Sequence, residues 1–458
     1  MPDSLGVIAQ SAKYKAISNR NKSLDVSKLD VGFGGFTPMP LNESSATRAQ
    51  VESVEARLRR RREDFDRAQA IEDARASELR AFVDGLGVTW DYVVLDGAFV
   101  RVEKCSNAQG KIIVPESIEG LPVRVLAADA CSGLDDVTSI VVPDSVSVIG
   151  GCAFRSCKRL ESAVLPYELT TFESDWFRGC PSLAILRMPG LLKEVGPSLF
   201  DIPNLEYVEF GVALSKVEPG TFQKSKLARI AIDSDNPWLQ TDGMAIYSSD
   251  AATFVALACP CSSYSVAPTC TTLSRKAFSS FGELAEVELP SCIKTIEPYA
   301  LSRTGVRTFD APPALEELGE RAFFFCKSLE AVTLNEGLRV IGPDAFSNTA
   351  IKELRIPRTA REIGYPIAAK TGLIYSGAEA TLTMEPGSDM LVLDDSGALY
   401  EKVADGLRLL RLFDGEAKRF TAAAGTREVV EGAFSGHTML EEVTLPEGVR
   451  VIGASAFK

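Results

Sequence analysis

The chain contains one histidine and ten cysteines, so hydrolysis by a Ser-His-Asp or Cys-His arrangement would have to run through His437 alone. His437 stands three residues after Phe434, the place held by Cys157 after Phe154, Cys180 after Phe177 and Cys326 after Phe323. It is therefore read as one more member of a repeated core position and not as a catalytic base. Cys259-Pro260-Cys261 with Cys270 is the only local cysteine cluster. Zinc asks for four ligands, with paired cysteines two to four residues apart, so this cluster falls short of a metal site. Cys131, Cys157, Cys180 and Cys326 sit in repeat positions and read as small buried hydrophobes, with reduced thiols expected. The acidic pairs Glu286/Glu288 and Glu316/Glu317 fit solvated surface carboxylates. Gly32-Phe33-Gly34-Gly35-Phe36 lacks the Lys-Ser/Thr and the preceding strand of a phosphate loop. The basic run Arg57–Arg62, broken by Leu58, is flanked by Glu52, Glu55, Glu63, Asp64 and Asp66 and reads as a solvated helix face. The expectation is a protein with no catalytic residue, no metal and no cofactor.

The elements that carry these residues must come from a composition of 45% hydrophobic and 24% charged residues, the balance of a folded chain. The net charge of −13 falls almost wholly after residue 83. An acidic body repels nucleic acid and anionic lipid, so neither is expected as a partner. No run of about 18 apolar residues would span a membrane. Near the N-terminus only Leu5–Ala9 is apolar, with no basic residue before it, too short for a secretory leader. The expected location is cytoplasmic, or the cell surface or exterior if the true start lies upstream.

A repeat organises most of the sequence. VIGGCAF (Val148–Phe154) recurs as EVGPSLF (Glu194–Phe200), KVEPGTF (Lys216–Phe222), ELGERAF (Glu317–Phe323), VIGPDAF (Val340–Phe346) and VIGASAF (Val451–Phe457). Its last residue defines the slots Cys131, Phe154, Phe177, Phe200, Phe222, Phe278, Leu301, Phe323, Phe346, Ala368, Phe434 and Phe457, which lie 22 or 23 residues apart except at two longer steps. After each slot comes aliphatic-x-x-aliphatic-x-aliphatic, often closed by proline, as in Leu284/Val287/Leu289-Pro290. The last two aliphatics share one face of a strand, and the proline ends it. A second extended piece follows, and the Ala-Phe end is expected to close a short helical turn. One such unit cannot bury its apolar face, whereas stacked units share a continuous core.

This spelling resembles the BspA-like leucine-rich-repeat family over about residues 88–458. The resemblance implies a leucine-rich-repeat solenoid, an α/β superhelix of mostly parallel strands with short helical turns. It also implies a bacterial or protozoan protein, often at the cell surface, that adheres to another protein.

The long steps read as hairpin insertions near 233–270 and 371–425 within a solenoid at 123–458. A third hairpin, within residues 85–122, is placed to cap the first turn. Ahead of it, 46–84 reads as a helix with Thr47 as N-cap, able to pack on the first turns or to form a coiled coil. Residues 1–45 read as flexible. The chain stops one residue after Phe457, which leaves Val449, Ile452 and Phe457 on an open face. A truncated frame, a frayed end, or an end that docks on a partner or a second copy are the alternatives.

What remains for function is the outward side of the strands, where Arg187, Tyr207, Glu209, Arg229, Glu286, Glu288, Asp310, Glu353 and Arg355 lie between the core aliphatics. The reading is a non-enzymatic scaffold whose partner is another protein. The alternative is an assembly protein that self-associates through the helix at 46–84 or the open end.

Overall fold

The computed structural model describes residues 79–457 except 173, 197–201, 203, 224–225, 365–380 and 415–416. The chain divides into two compact units, Met1–Asp64 and Phe65–Lys458, and every described residue belongs to the second. The segment 1–45, most of the expected helix at 46–84, and the slots Phe200 and Ala368 lie outside the described residues. The helix is corrected at its far end: Arg80–Val83 is a strand, antiparallel to Thr89–Leu95. Four residues of extended chain are too few to break the longer helical spacing that precedes them in the sequence.

The described part is a β-solenoid whose turns contribute to two columns of parallel strands. In one column, Gly110–Ile113, Val137–Val141, Ser162–Val164, Ile185–Arg187, Tyr207–Phe210 and Arg229–Ile232 follow each other across a single sheet. In the other, two-residue strands such as Thr295–Ile296, Glu317–Leu318 and Val340–Ile341 pair rung by rung. Alternation sends the aliphatic residue between the outward positions of the parallel strands inward, and Leu186, Ala163 and Leu354 are buried. The slot side chains Cys131, Phe154, Phe177, Phe222, Phe278, Leu301, Phe323, Phe346 and Phe434 are 0–2% exposed. Their rings stack between turns, with centroids 5.2 Å apart for Phe154 and Phe177 and 5.5 Å apart for Phe323 and Phe346.

The glycine of the VIG motif has a steric cause. A methyl group at Gly150, Gly319, Gly342 or Gly453 would meet a backbone nitrogen of the preceding turn at 2.5, 2.6, 2.3 and 2.3 Å respectively. Adjacent turns approach backbone to backbone at this point, and any side chain would hold them apart.

The Ala-Phe end is not helical, which corrects the α/β expectation. In a helix the N–H groups bond within their own segment. Here they bond to the next turn instead: Phe154 N–H donates to Trp176 O at 3.0 Å, Phe278 N–H to Ala300 O at 2.7 Å and Phe323 N–H to Ala345 O at 2.8 Å. Residues two before and two after the slot take positive φ, such as Asp344 at 56° and Asn348 at 62°. This breaks any helix and aims alternate N–H groups along the stack. The result is a third hydrogen-bond ladder, and the only helical element among the described residues is the 3-10 turn Ser174–Phe177. No helix among them is long and apolar enough to cross a membrane.

The ladder of two-residue strands is begun three times, each time by antiparallel strands. Thr89–Leu95 and Phe99–Ser106 lead into Leu121–Leu126; Ala245–Ser248 and Thr253–Leu257 lead into Thr272–Leu273; Ala398–Val403 and Gly406–Leu412 lead into Thr426–Val429. A separate core of Tyr400, Leu409, Leu412, Phe420, Val429 and Phe434 forms around the third start. At the far edge, Val451, Ile452 and Phe457 are each about half exposed.

Candidate functional site

The outward strand row divides in two. Arg229, Glu286, Glu288, Asp310, Glu353 and Arg355 are exposed, as are Ser263, Ser265, Thr308, Ala331 and Thr333 between them. The register sets Ser263 beside Glu286 and Ser265 beside Glu288, and sets Thr308 beside Ala331 and Asp310 beside Thr333. Arg355 pairs with Glu385 at 2.6 Å. The row is therefore predominantly acidic through its middle, with small polar side chains between the charges.

Tyr207 and Glu209 depart from the expectation: they are 8% and 9% exposed. The segment that enters the first insertion lies against this part of the sheet. Asp233 N–H donates to Phe210 O at 3.0 Å, Asn236 Nδ2 donates to the carbonyls of Gly211 and Leu214, and Ile230 N–H donates to Gly243 O. Arg187 is partly covered and donates to Glu209 at 3.1 Å. Burial pushes the Glu209 carboxyl above its ordinary value, and the Arg187 guanidinium opposes that rise. These three residues form a covered patch and leave open Arg229 and the row on the strands from Ser263 onward.

Among the described turns, where the position three after the slot is polar it serves a slot carbonyl, whereas Leu134 and Phe281 fill it as apolar side chains. Cys157 Sγ donates to Cys131 O at 3.2 Å, Cys180 Sγ to Phe154 O at 3.1 Å and Cys326 Sγ to Leu301 O at 3.0 Å. Thr304 and Thr349 hydroxyls donate to the slot carbonyls of their own turns, Leu301 O and Phe346 O, at 2.8 Å, and His437 Nδ1 lies 3.0 Å from Phe434 O. Small polar groups here serve turn carbonyls, which explains why one imidazole can stand in a column of thiols. The ten cysteines are free thiols. The bond to Cys157 and burial push the Cys180 thiol up, and burial raises Cys326. The bond from Cys180 lowers Cys157, but that thiol is fully covered, so access and not ionisation limits its reaction. Alkylation of the native protein at neutral pH is expected to modify Cys157 and Cys180 only at the rate of unfolding. Rapid labelling at either, located by peptide mass, would contradict the assigned packing.

Around Cys259, Cys261 and Cys270 no metal-holding group forms: among the described residues no three His, Cys, Asp or Glu side chains come together for one. Burial pushes Cys259 up to about 12. The polar feature here is one that the sequence reading missed. Ala267 N–H donates to Tyr247 Oη at 3.2 Å, Tyr247 and Tyr264 hydroxyls are 2.7 Å apart, and Tyr264 donates to Asp242 at 2.5 Å. Asp242 also accepts from the N–H groups of Met244 and Ala245. The chain of bonds pins the hairpin to the following strand. Its signal was the recurrence of tyrosine in the hairpins, since Tyr400 Oη likewise accepts from Ala423 N–H at 2.9 Å.

Cores shared between neighbouring turns, turns paired strand to strand and an outward row of strand residues define a leucine-rich-repeat β-solenoid. Six copies of the BspA type leucine rich repeat region match residues 125–242, 252–371 and 414–458, more than half of the sequence, and the chain belongs to that family. No curated protein matches it. Among solved structures it is similar to a leucine rich cell surface protein of Faecalibacterium prausnitzii at 19% identity, covering 83% of this chain and 74% of that one, with a TM-score of 0.30. A leucine-rich repeat protein of Bacteroides ovatus is similar at 17% identity, covering 81% and 90%, with a TM-score of 0.40. The pneumococcal vaccine antigen PcpA is similar at 14% identity, covering 80% and 99%, with a TM-score of 0.39.

Proposed function

We propose that this chain is a protein-binding scaffold of the adhesion type, without catalytic activity of its own. The observation that carries the reading is the exposed row of Glu286, Glu288, Asp310, Glu353 and Arg355 on outward strand positions of the stacked turns. Side chains fixed by a sheet present a preordered surface, so little entropy is lost when a partner docks. A predominantly acidic row selects a partner with a basic patch and speeds its approach. Membership of the repeat family supports a binding role in general, and the row supplies the particular surface.

The test is a comparison of the full chain with its Glu286→Lys, Glu288→Lys, Asp310→Lys variant. These three side chains are exposed, so the variant is expected to keep its unfolding midpoint. The wild type is expected to retain, from an extract or from intact target cells, a protein that the variant does not. An identical retained set for both proteins would sink the assignment of this face. An adhesive role also requires display outside the cell, which antibody labelling of intact source cells would reveal.

A further inference from the structure

In most described turns the residues two before and two after the slot sit at positive φ, where a side chain with a Cβ is disfavoured. Many turns fill them with glycine, aspartate or asparagine: Gly133, Gly179, Gly220, Gly432, Gly436, Asp129, Asp344 and Asn348. Three successive turns carry large side chains there instead. They place Lys276 (φ 59°), Tyr299 (63°), Arg303 (58°), Arg321 (54°) and Phe325 (62°) at these positions. Large aromatic and cationic side chains are thus displayed where the backbone prefers none.

Their rings and cations touch in an unbroken series. Arg275 lies over the Tyr299 ring at 5.8 Å, and Arg321 over Tyr299 at 5.7 Å and over Phe324 at 5.4 Å. Phe324 and Phe325 meet edge to face at 4.7 Å, and Arg303 and Lys327 lie over Phe325 at 5.3 and 5.8 Å. Arg321 is held by Asp344 and Glu320. Arg275, Arg303 and Lys327 are exposed, and among the described residues no carboxylate forms an ion pair with them.

We propose that this ridge is a second binding site, separate from the strand row, for an acidic segment of a partner protein. Exposed arginines beside aromatic rings are the composition of interface hot spots. A guanidinium stacked on a ring keeps its N–H edge free to take a carboxylate with two bonds. Charge selects the kind of partner. The chain as a whole carries −13, so an extended polyanion such as nucleic acid or an anionic membrane meets repulsion beyond the ridge, whereas a short acidic segment can lie against Arg275, Arg303 and Lys327, with Glu320 and Asp344 engaged by Arg321 and Glu297 by the Arg275 N–H. The acidic strand row requires a partner of opposite charge, so the two sites serve different segments.

The probe is a short fluorescein-labelled peptide of alternating Glu and Asp, titrated with the full chain and read by anisotropy. Saturable binding is expected, weakened roughly tenfold or more in the Arg275→Ala, Arg303→Ala, Lys327→Ala variant. Phe325→Gly is expected to weaken it as well while keeping or raising the unfolding midpoint, because glycine suits a φ of 62°. That pairing separates loss of the site from loss of the fold. Absence of saturable binding, or equal binding by the wild type and the triple variant, would overturn the proposal. So would binding of phosphatidylserine vesicles in place of the peptide, or a self-association of the wild type that the triple variant loses, which would assign the ridge to a second copy.

Discussion

Phe323→Ala is expected to destabilise the solenoid by roughly 3–5 kcal/mol. The ring is fully buried, stacks on Phe346 with centroids 5.5 Å apart and meets Phe309 at 4.6 Å. Its removal opens a cavity shared by two turns, and neither can collapse into it, because each is fixed by three hydrogen-bond ladders. Arg355→Ala, from an outward position, is expected to cost under about 1 kcal/mol, since its partner Glu385 belongs to a surface pair. Urea unfolding of the two variants measures the difference. Equal losses would mean that inward and outward positions have been exchanged.

Gly342→Ala is the second large effect, and its sign is the informative part. At a glycine with ordinary φ, alanine stabilises by about 0.4–1 kcal/mol through the unfolded state, and Gly342 is not among the positive-φ glycines. Yet its new methyl group would stand 2.3 Å from the Glu320 nitrogen and 2.5 Å from the Gly319 carbonyl carbon. Both are backbone atoms and cannot swing aside. Relief requires the turns to part, which stretches the 2.7 Å bond from Gly342 N–H to Leu318 O and the rung between Leu318 and Ile341. The expected net change is a loss of roughly 1–3 kcal/mol, measured by the same unfolding midpoint. A stabilised variant would show that the turns are not in backbone contact there.

The period was legible in the sequence because every turn must bury the same face against its neighbours, so Phe154, Phe278 and Phe323 recur in phase. The conformation between those slots was not. Small residues before a phenylalanine suit a helical end as well as a turn, and Tyr299, Arg321 and Phe325 argue against positive φ by their size. Only the third ladder, which lies between turns and so leaves no mark within one, decides the matter. The outward row was placed by alternation alone. Alternation holds from Ser263 onward and fails at Tyr207 and Glu209, because a repeat pattern carries no information about an inserted segment that folds back over it. The tyrosine in the hairpins was visible as a letter. Its role was not, since the hydrogen bond to Ala267 or Ala423 joins residues twenty or more positions apart.

The three ladder starts bear on how the molecule would respond to tension. Between them the described turns are joined by short parallel strands of two to five residues, such as Glu317–Leu318 on Val340–Ile341, together with the third ladder. At each start the pairing is longer and antiparallel, as between Ala398–Val403 and Gly406–Leu412. Under tension the expectation is therefore separation of turns in groups bounded by the hairpins, seen as successive force drops when single molecules are pulled; one cooperative rupture would contradict it.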